Sequence, residues 1–168
     1  MLPSGSRAKG KSYERKIAEI FRSVFELRPE ECCRTPSSGS HPWLSKVDPG
    51  DLQFCWTFKK YFPYHVECKN HARVSLAQFL RSDFSKGRLA AWVKQIHSGP
   101  DGFTPLLVMR VERENFCAVP STKFPTEALV GYSHAYFYIG KQQWLLMSFD
   151  NFLLVYQSIH GKYVTNNS

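Results

Sequence analysis

The sequence predicts a single α/β domain, a mixed β-sheet flanked by helices, and three observations carry that prediction. Tyr13, Ile17, Ile20, Phe21 and Val24 recur at the three- and four-residue steps of one buried helical stripe. Residues 64–69 (YHVECK) alternate in polarity, and Pro105 to Val111 (PLLVMRV) is the continuous apolar run of a buried central strand. The 168 residues are 43% apolar and 15% aromatic, enough for one sizeable core and too few residues for two. That composition excludes a disordered chain. The longest apolar runs are four or five residues, as in Phe152 to Tyr156, so no membrane-spanning helix is expected. No secretory signal is visible, and a cytoplasmic setting follows.

Taken in order, residues 1–11 (MLPSGSRAKGK) read as a flexible basic arm. The first helix follows and is limited by Pro29. Cys33 to Thr35 is a short extended piece, and residues 36–50 form a long loop with three Pro, two Gly and four Ser. Asp51 to Trp56 reads as a strand, Thr57 to Pro63 as a turn region, and Tyr64 to Lys69 as the second arm of a hairpin with 51–56. Leu76 to Leu80 and Arg88 to His97 look helical, the latter with Leu89, Trp92, Val93 and Ile96 on one face. The turn Gly99-Pro100-Asp101-Gly102 precedes the central strand, whose hairpin partner is Asn115 to Val119. Ala135 to Ile139, Trp144 to Ser148 and Phe152 to Ser158 suggest further strands or a helix. The domain reading is therefore an arm (1–11), a core (12–120) and a β-rich C-terminal extension packed on it (121–168).

The net charge is +8, and all of it lies in residues 1–98, which hold 17 Lys/Arg and 9 Asp/Glu. Residues 99–168 hold five of each. A polyanion-binding N-terminal region would produce this split; charge alone does not separate it from an excess scattered over several faces. Five cysteines in an odd set without a CxxC indicate reduced thiols. A zinc site from Cys32, Cys33, Cys68 and His71 has poor spacing, and buried small apolar side chains explain them better.

Three segments could carry chemistry. Glu14 borders the apolar helix stripe, where an acid faces a desolvation cost unless partnered; an exposed first-turn glutamate is the simpler reading of its spacing. Asp51 opens a strand after the Ser/Gly loop, and Glu67 and Lys69 share one face of the next. Two carboxylates reaching one point repel unless a cation lies between them. Magnesium takes oxygen ligands and needs only one or two carboxylates. Lys69 could then hold an attacking water or offset charge on phosphorus, a combination suited to phosphodiester hydrolysis. Glu-x-Lys alone is a weak motif; a solvated cross-strand ion pair is its plain alternative.

The ordered set resembles the PD-(D/E)XK nuclease superfamily, and within it the archaeal-type Holliday junction resolvases and their phage-encoded relatives. The matching residues are Lys9-Gly10, Glu14-Arg15, Arg34-Thr35-Pro36-Ser37-Ser38-Gly39-Ser40, Pro49-Gly50-Asp51 and Val66-Glu67-Cys68-Lys69. The resemblance runs from residue 7 to about 120. It implies a restriction-endonuclease-like fold and a magnesium-dependent endonuclease in which manganese substitutes. Asp51, Glu67 and the Cys68 carbonyl would bind the metal, with Glu14 acting through water. Lys69 would position the nucleophilic water, and Ser38 or Ser40 would touch the scissile phosphate. Arg7, Lys9, Lys11, Arg15, Arg34 and Lys46 would contact DNA. Gln95 falls on the helix after the Glu-x-Lys strand, where relatives often carry a polar active-site residue. Paired cuts at a four-way junction imply a homodimer. Residues 121–168 have no counterpart in this resemblance. A nuclease acting on other DNA, an inactive DNA-binding module and a zinc-binding regulator are the alternative readings.

Overall fold

The computed structural model describes residues 4–35, 50–70, 87–96 and 102–163. It shows a five-stranded mixed sheet with helices on both faces, consistent with a restriction-endonuclease-like fold. Helix α1 (Ser4–Phe25) comes first. Its stripe Tyr13, Ile17, Phe21 and Phe25 is buried. The helix starts at Ser4, so most of the segment read as a flexible arm is its first two turns. Once the packed stripe has nucleated the helix, each further residue adds a hydrogen bond at little cost, and Arg7, Ala8, Lys9 and Lys11 are good helix formers. The helix stops before Pro29. Glu26 takes the left-handed conformation (φ 54°), and the Leu27 N–H donates back to the Arg22 carbonyl at 3.0 Å, a Schellman closure.

Strands β1 (Cys32–Arg34) and β2 (Leu52–Phe54) pair antiparallel as a separate ribbon. Helix α2 (Trp56–Tyr61) and strand β3 (Tyr64–Asn70) follow. The expected 51–56/64–69 hairpin does not form. Two elements are involved in the correction: β2 pairs with β1, and the segment read as strand end and turn is α2. Phe58 and Phe62, one turn apart, bury into the aromatic core and make the helix worth forming. Helix α3 (Arg88–Ile96), strand β4 (Thr104–Val111) and strand β5 (Glu114–Pro120) lie where the sequence places them. After two short 3₁₀ turns come β6 (His134–Ile139), β7 (Gln142–Ser148) and helix α4 (Phe149–His160). The segment left as strand or helix at 152–158 is therefore helix, capped by the Ser148 hydroxyl accepting the Asn151 N–H at 3.2 Å. The expected helix at 76–80 lies outside the described residues.

The strand order is β3-β4-β5-β7-β6, with β3 and β4 parallel and every other pair antiparallel. Side chains alternate between two cores. Val66, Cys68, Val108, Val119 and Leu145 face α1, α2 and α4. Leu107, Met109, Ala118, Trp144 and Leu146 face α3 through Leu89, Val93 and Ile96. The first core is aromatic: the Phe21 ring meets Phe54, Phe62 and Phe149 edge-on at 5.1–5.5 Å. β7 and α4, both after residue 120, do not sit outside this core. β7 pairs with β5 within the sheet, and Phe149, Phe152 and Tyr156 enter the aromatic cluster. Among the described residues no helix is long and apolar enough to cross a membrane.

Candidate active site at the outer edge of β3

β3 is an edge strand whose residues are nevertheless mostly buried. Its open edge is occupied by the chain that enters β2. The Asp51 N–H donates to the Val66 carbonyl at 2.9 Å, and the Asp51 carboxylate accepts the Cys68 N–H at 2.7 Å. From the other side Thr35 clamps Gly50 and Asp51. Its N–H donates to the Asp51 carbonyl (2.9 Å) and its hydroxyl to the Gly50 carbonyl (2.8 Å). Gly50 is required by this approach, because a Cβ there would stand 2.6 Å from the Val66 oxygen and 2.7 Å from the His65 ring. Gly50 is thus what lets Asp51 dock on the strand edge.

The two faces of β3 bring the other groups. From the α1 face comes half-buried Glu14, whose carboxylate lies 3.3 Å from the Arg34 guanidinium. From the α3 face comes Glu67, 8% exposed, whose Oε1 accepts from Lys69 Nζ (2.6 Å) and from Gln95 Nε2 (3.0 Å). Asp51 stands between the two acids. Burial, and then the negative charge of Glu67, push its carboxyl up to about 6 against the Cys68 N–H bond and the charges of Lys69 and Arg34. Burial and the charge of Asp51 likewise raise the Glu14 carboxyl, and the Arg34 hydrogen bond holds it down in part. The Cys68 thiol is pushed well up by burial and then by Asp51, Glu14 and Glu67. Its burial makes it a member of the core.

Glu14, Asp51, Glu67 and Lys69 therefore converge, although 55 positions separate the first from the last in the chain. Arg34, expected on DNA, contacts Glu14 inside the cluster, a contact set by β1 packing against α1. Gln95 makes a direct contact with Glu67 that no local pattern in α3 signals. Lys9, Lys11 and Arg15 are exposed on α1, and Arg7 lies in its first turns. Ser38, Ser40 and Lys46 lie outside the described residues. Among the described residues no three His, Cys, Asp or Glu side chains form a ready metal cage. The donor chemistry still fits a hard dication. Two desolvated, mutually repelling carboxylates share an edge with the Cys68 backbone, whose carbonyl leaves the strand on the same side as the N–H bound to Asp51.

An edge-docked aspartate beside a Glu-x-Lys strand is the arrangement of a PD-(D/E)XK nuclease. Residues 5–159 match the family model described as "Phage putative PDDEXK endonuclease", and the chain belongs to that family. Nucleases of this superfamily generally use divalent metals, and an endonuclease of this kind acts on DNA. No curated protein and no solved structure matches the chain.

Proposed function

We propose that this protein is a magnesium-dependent, structure-selective DNA endonuclease that resolves four-way junctions by paired phosphodiester hydrolysis, acting as a homodimer in the cytoplasm where the phage DNA is handled. The observation that carries the reading is the meeting of Glu14, Asp51, Glu67 and Lys69 at one strand edge. Asp51, Glu67 and the Cys68 carbonyl are the ligands for the cation, with Glu14 reaching it through water; manganese satisfies the same oxygen donors. When bound, the cation lowers the pKa of water and offsets the negative charge of the phosphate.

The chain's own side chains supply the rest. Lys69 is held by Glu67 at 2.6 Å and is positioned to hold the attacking water by a hydrogen bond. Gln95 donates to the same Glu67 oxygen as Lys69 and helps to fix the carboxylate. Arg34 holds the Glu14 carboxyl by a hydrogen bond and offsets part of the rise that burial and Asp51 impose on it. Lys11 and Arg15, one turn apart on the exposed face of α1, with Lys9 and Arg7, contact backbone phosphates and add salt-dependent affinity without sequence choice. Ser38 or Ser40 touches the scissile phosphate, and Lys46 adds a further DNA contact. The preference for a branched substrate is supported by the resemblance of the whole ordered set to junction resolvases.

The test is a substrate panel of synthetic four-way, flap, nicked and linear duplexes, with magnesium and with chelator. Symmetric paired nicks in the four-way junction, only with magnesium, are the expected result. Equal cutting of every substrate would leave a nuclease of another kind, restriction or repair. Binding without any cutting would point to an inactive DNA-binding module.

A further inference from the structure

β6 is the other edge of the sheet, four strand intervals from the candidate active site on β3, and among the described residues no strand pairs with its outer side. An open edge of this kind is usually blunted by Lys, Pro or a bulge. This one is not. Its six residues, HAYFYI, contain no Asp, Glu, Lys, Arg or Pro. Ala135, Phe137 and Ile139 alternate with His134, Tyr136 and Tyr138, and Phe137 is buried on the α3 side. On the opposite face Tyr136 and Tyr138 stay 42% and 58% exposed. Val130 and Leu154, at 87% and 55%, are exposed in the same C-terminal third, which holds five of the six large apolar side chains exposed among the described residues. Residues 99–168 as a whole are electrically neutral, while the whole +8 lies in residues 1–98.

We propose that β6 is a dimerisation strand: two copies pair antiparallel through their outer β6 edges and extend the sheet across a twofold axis. A second copy fits better than an unrelated partner for three reasons. A twofold axis beside an edge strand generates antiparallel self-pairing, so one sequence serves both sides. In either adjacent register the tyrosines of the two copies fall on the same face and meet as cross-strand aromatic pairs, and no like charges are opposed. The neutral ends meet while the two basic ends stay apart. The joined sheet has ten strands, twice the five of one copy. At about 4.8 Å per strand interval, the two β3 edges, each with its docked Asp51, stand roughly 40 Å apart. The consequence for paired cutting rests on the nuclease reading; the pairing itself does not.

The experiment is sedimentation of the full chain at micromolar concentrations. The wild type is expected at twice its 19.4 kDa mass. The double variant Tyr136→Lys/Tyr138→Lys and its counterpart Tyr136→Glu/Tyr138→Glu are each expected to dimerise at least about tenfold more weakly, through like-charge repulsion. Their equimolar mixture is expected to regain the dimer. Hydrogen exchange on the wild type gives a second reading: β6 amides are expected to lose protection on dilution. A monomeric wild type, a dimer untouched by both variants, or loss without recovery in the mixture would overturn the proposal. Nicking of DNA by the variants reads the β3 site separately, so failure of the pairing and failure of the nuclease reading are told apart.

Discussion

Replacing Asp51 by Asn should make the metal-free protein more stable while destroying its activity. At neutral pH the carboxylate is ionised in a place that resists ionisation. Its rise from 3.8 to about 6 corresponds to a penalty on the order of 3 kcal/mol relative to the unfolded chain. Asparagine is nearly isosteric, keeps an oxygen to accept the Cys68 N–H now bonded at 2.7 Å, and removes the repulsion from Glu67 and Glu14. Since Asp51 is not fully buried and water screens part of this penalty, about 1–3 kcal/mol should be recovered. For a chain of this size that raises Tm by about 2–8 °C. Thermal unfolding in chelator at neutral pH measures it. The same variant should cut DNA more than about a hundredfold more slowly with magnesium, because the proposed metal ligand is gone. Gain of stability with loss of function is the signature of a site whose charges await a ligand. A lower Tm, or undiminished cutting, would refute the reasoning.

The pH dependence of metal-free stability should carry the same origin. Folded Asp51 keeps its proton up to about 6 while the unfolded chain releases it near 3.8, so the folded state binds more protons in that window and stability falls as pH rises through it. The raised Glu14 carboxyl acts with the same sign, and denaturant midpoints across this range, with and without magnesium, measure both. Gly50→Ala drives a Cβ to 2.6 Å from the Val66 carbonyl and should cost about 1–3 kcal/mol, with Asp51 displaced and cutting lost; an unchanged midpoint would contradict the docking. Arg34→Gln removes the cation 3.3 Å from Glu14, so the Glu14 carboxyl should titrate higher still by carbon-13 NMR; a resonance that does not move would separate the two residues.

Much of this fold is written in local pattern. The stripe of α1, the alternation of β3, the apolar run of β4 and its hairpin with β5 depend on neighbours within a few residues, and the structure places them where the period predicts. The elements that were misread depend on distant contacts. α2 is six residues long and is helical because Phe58 and Phe62 meet Phe21, Phe25 and Phe54 from elsewhere in the chain. β2 was given to β3 because they are consecutive, yet Cys32–Arg34 takes the partner position and Asp51 takes the β3 edge. The site divides in the same way. Residue type and order single out Glu14, Asp51, Glu67 and Lys69. The role of Arg34 as partner of Glu14, the reach of Gln95 to Glu67 and the need for Gly50 are visible only once three elements are packed together.

The most direct test of the central claim is calorimetric titration of magnesium into the chain, wild type against the Asp51→Asn/Glu67→Gln variant, both checked for folding by circular dichroism. Saturable binding in the wild type that the variant loses is the predicted result. Equal binding by the two proteins, or none by the wild type even with uncleavable DNA present, would contradict it.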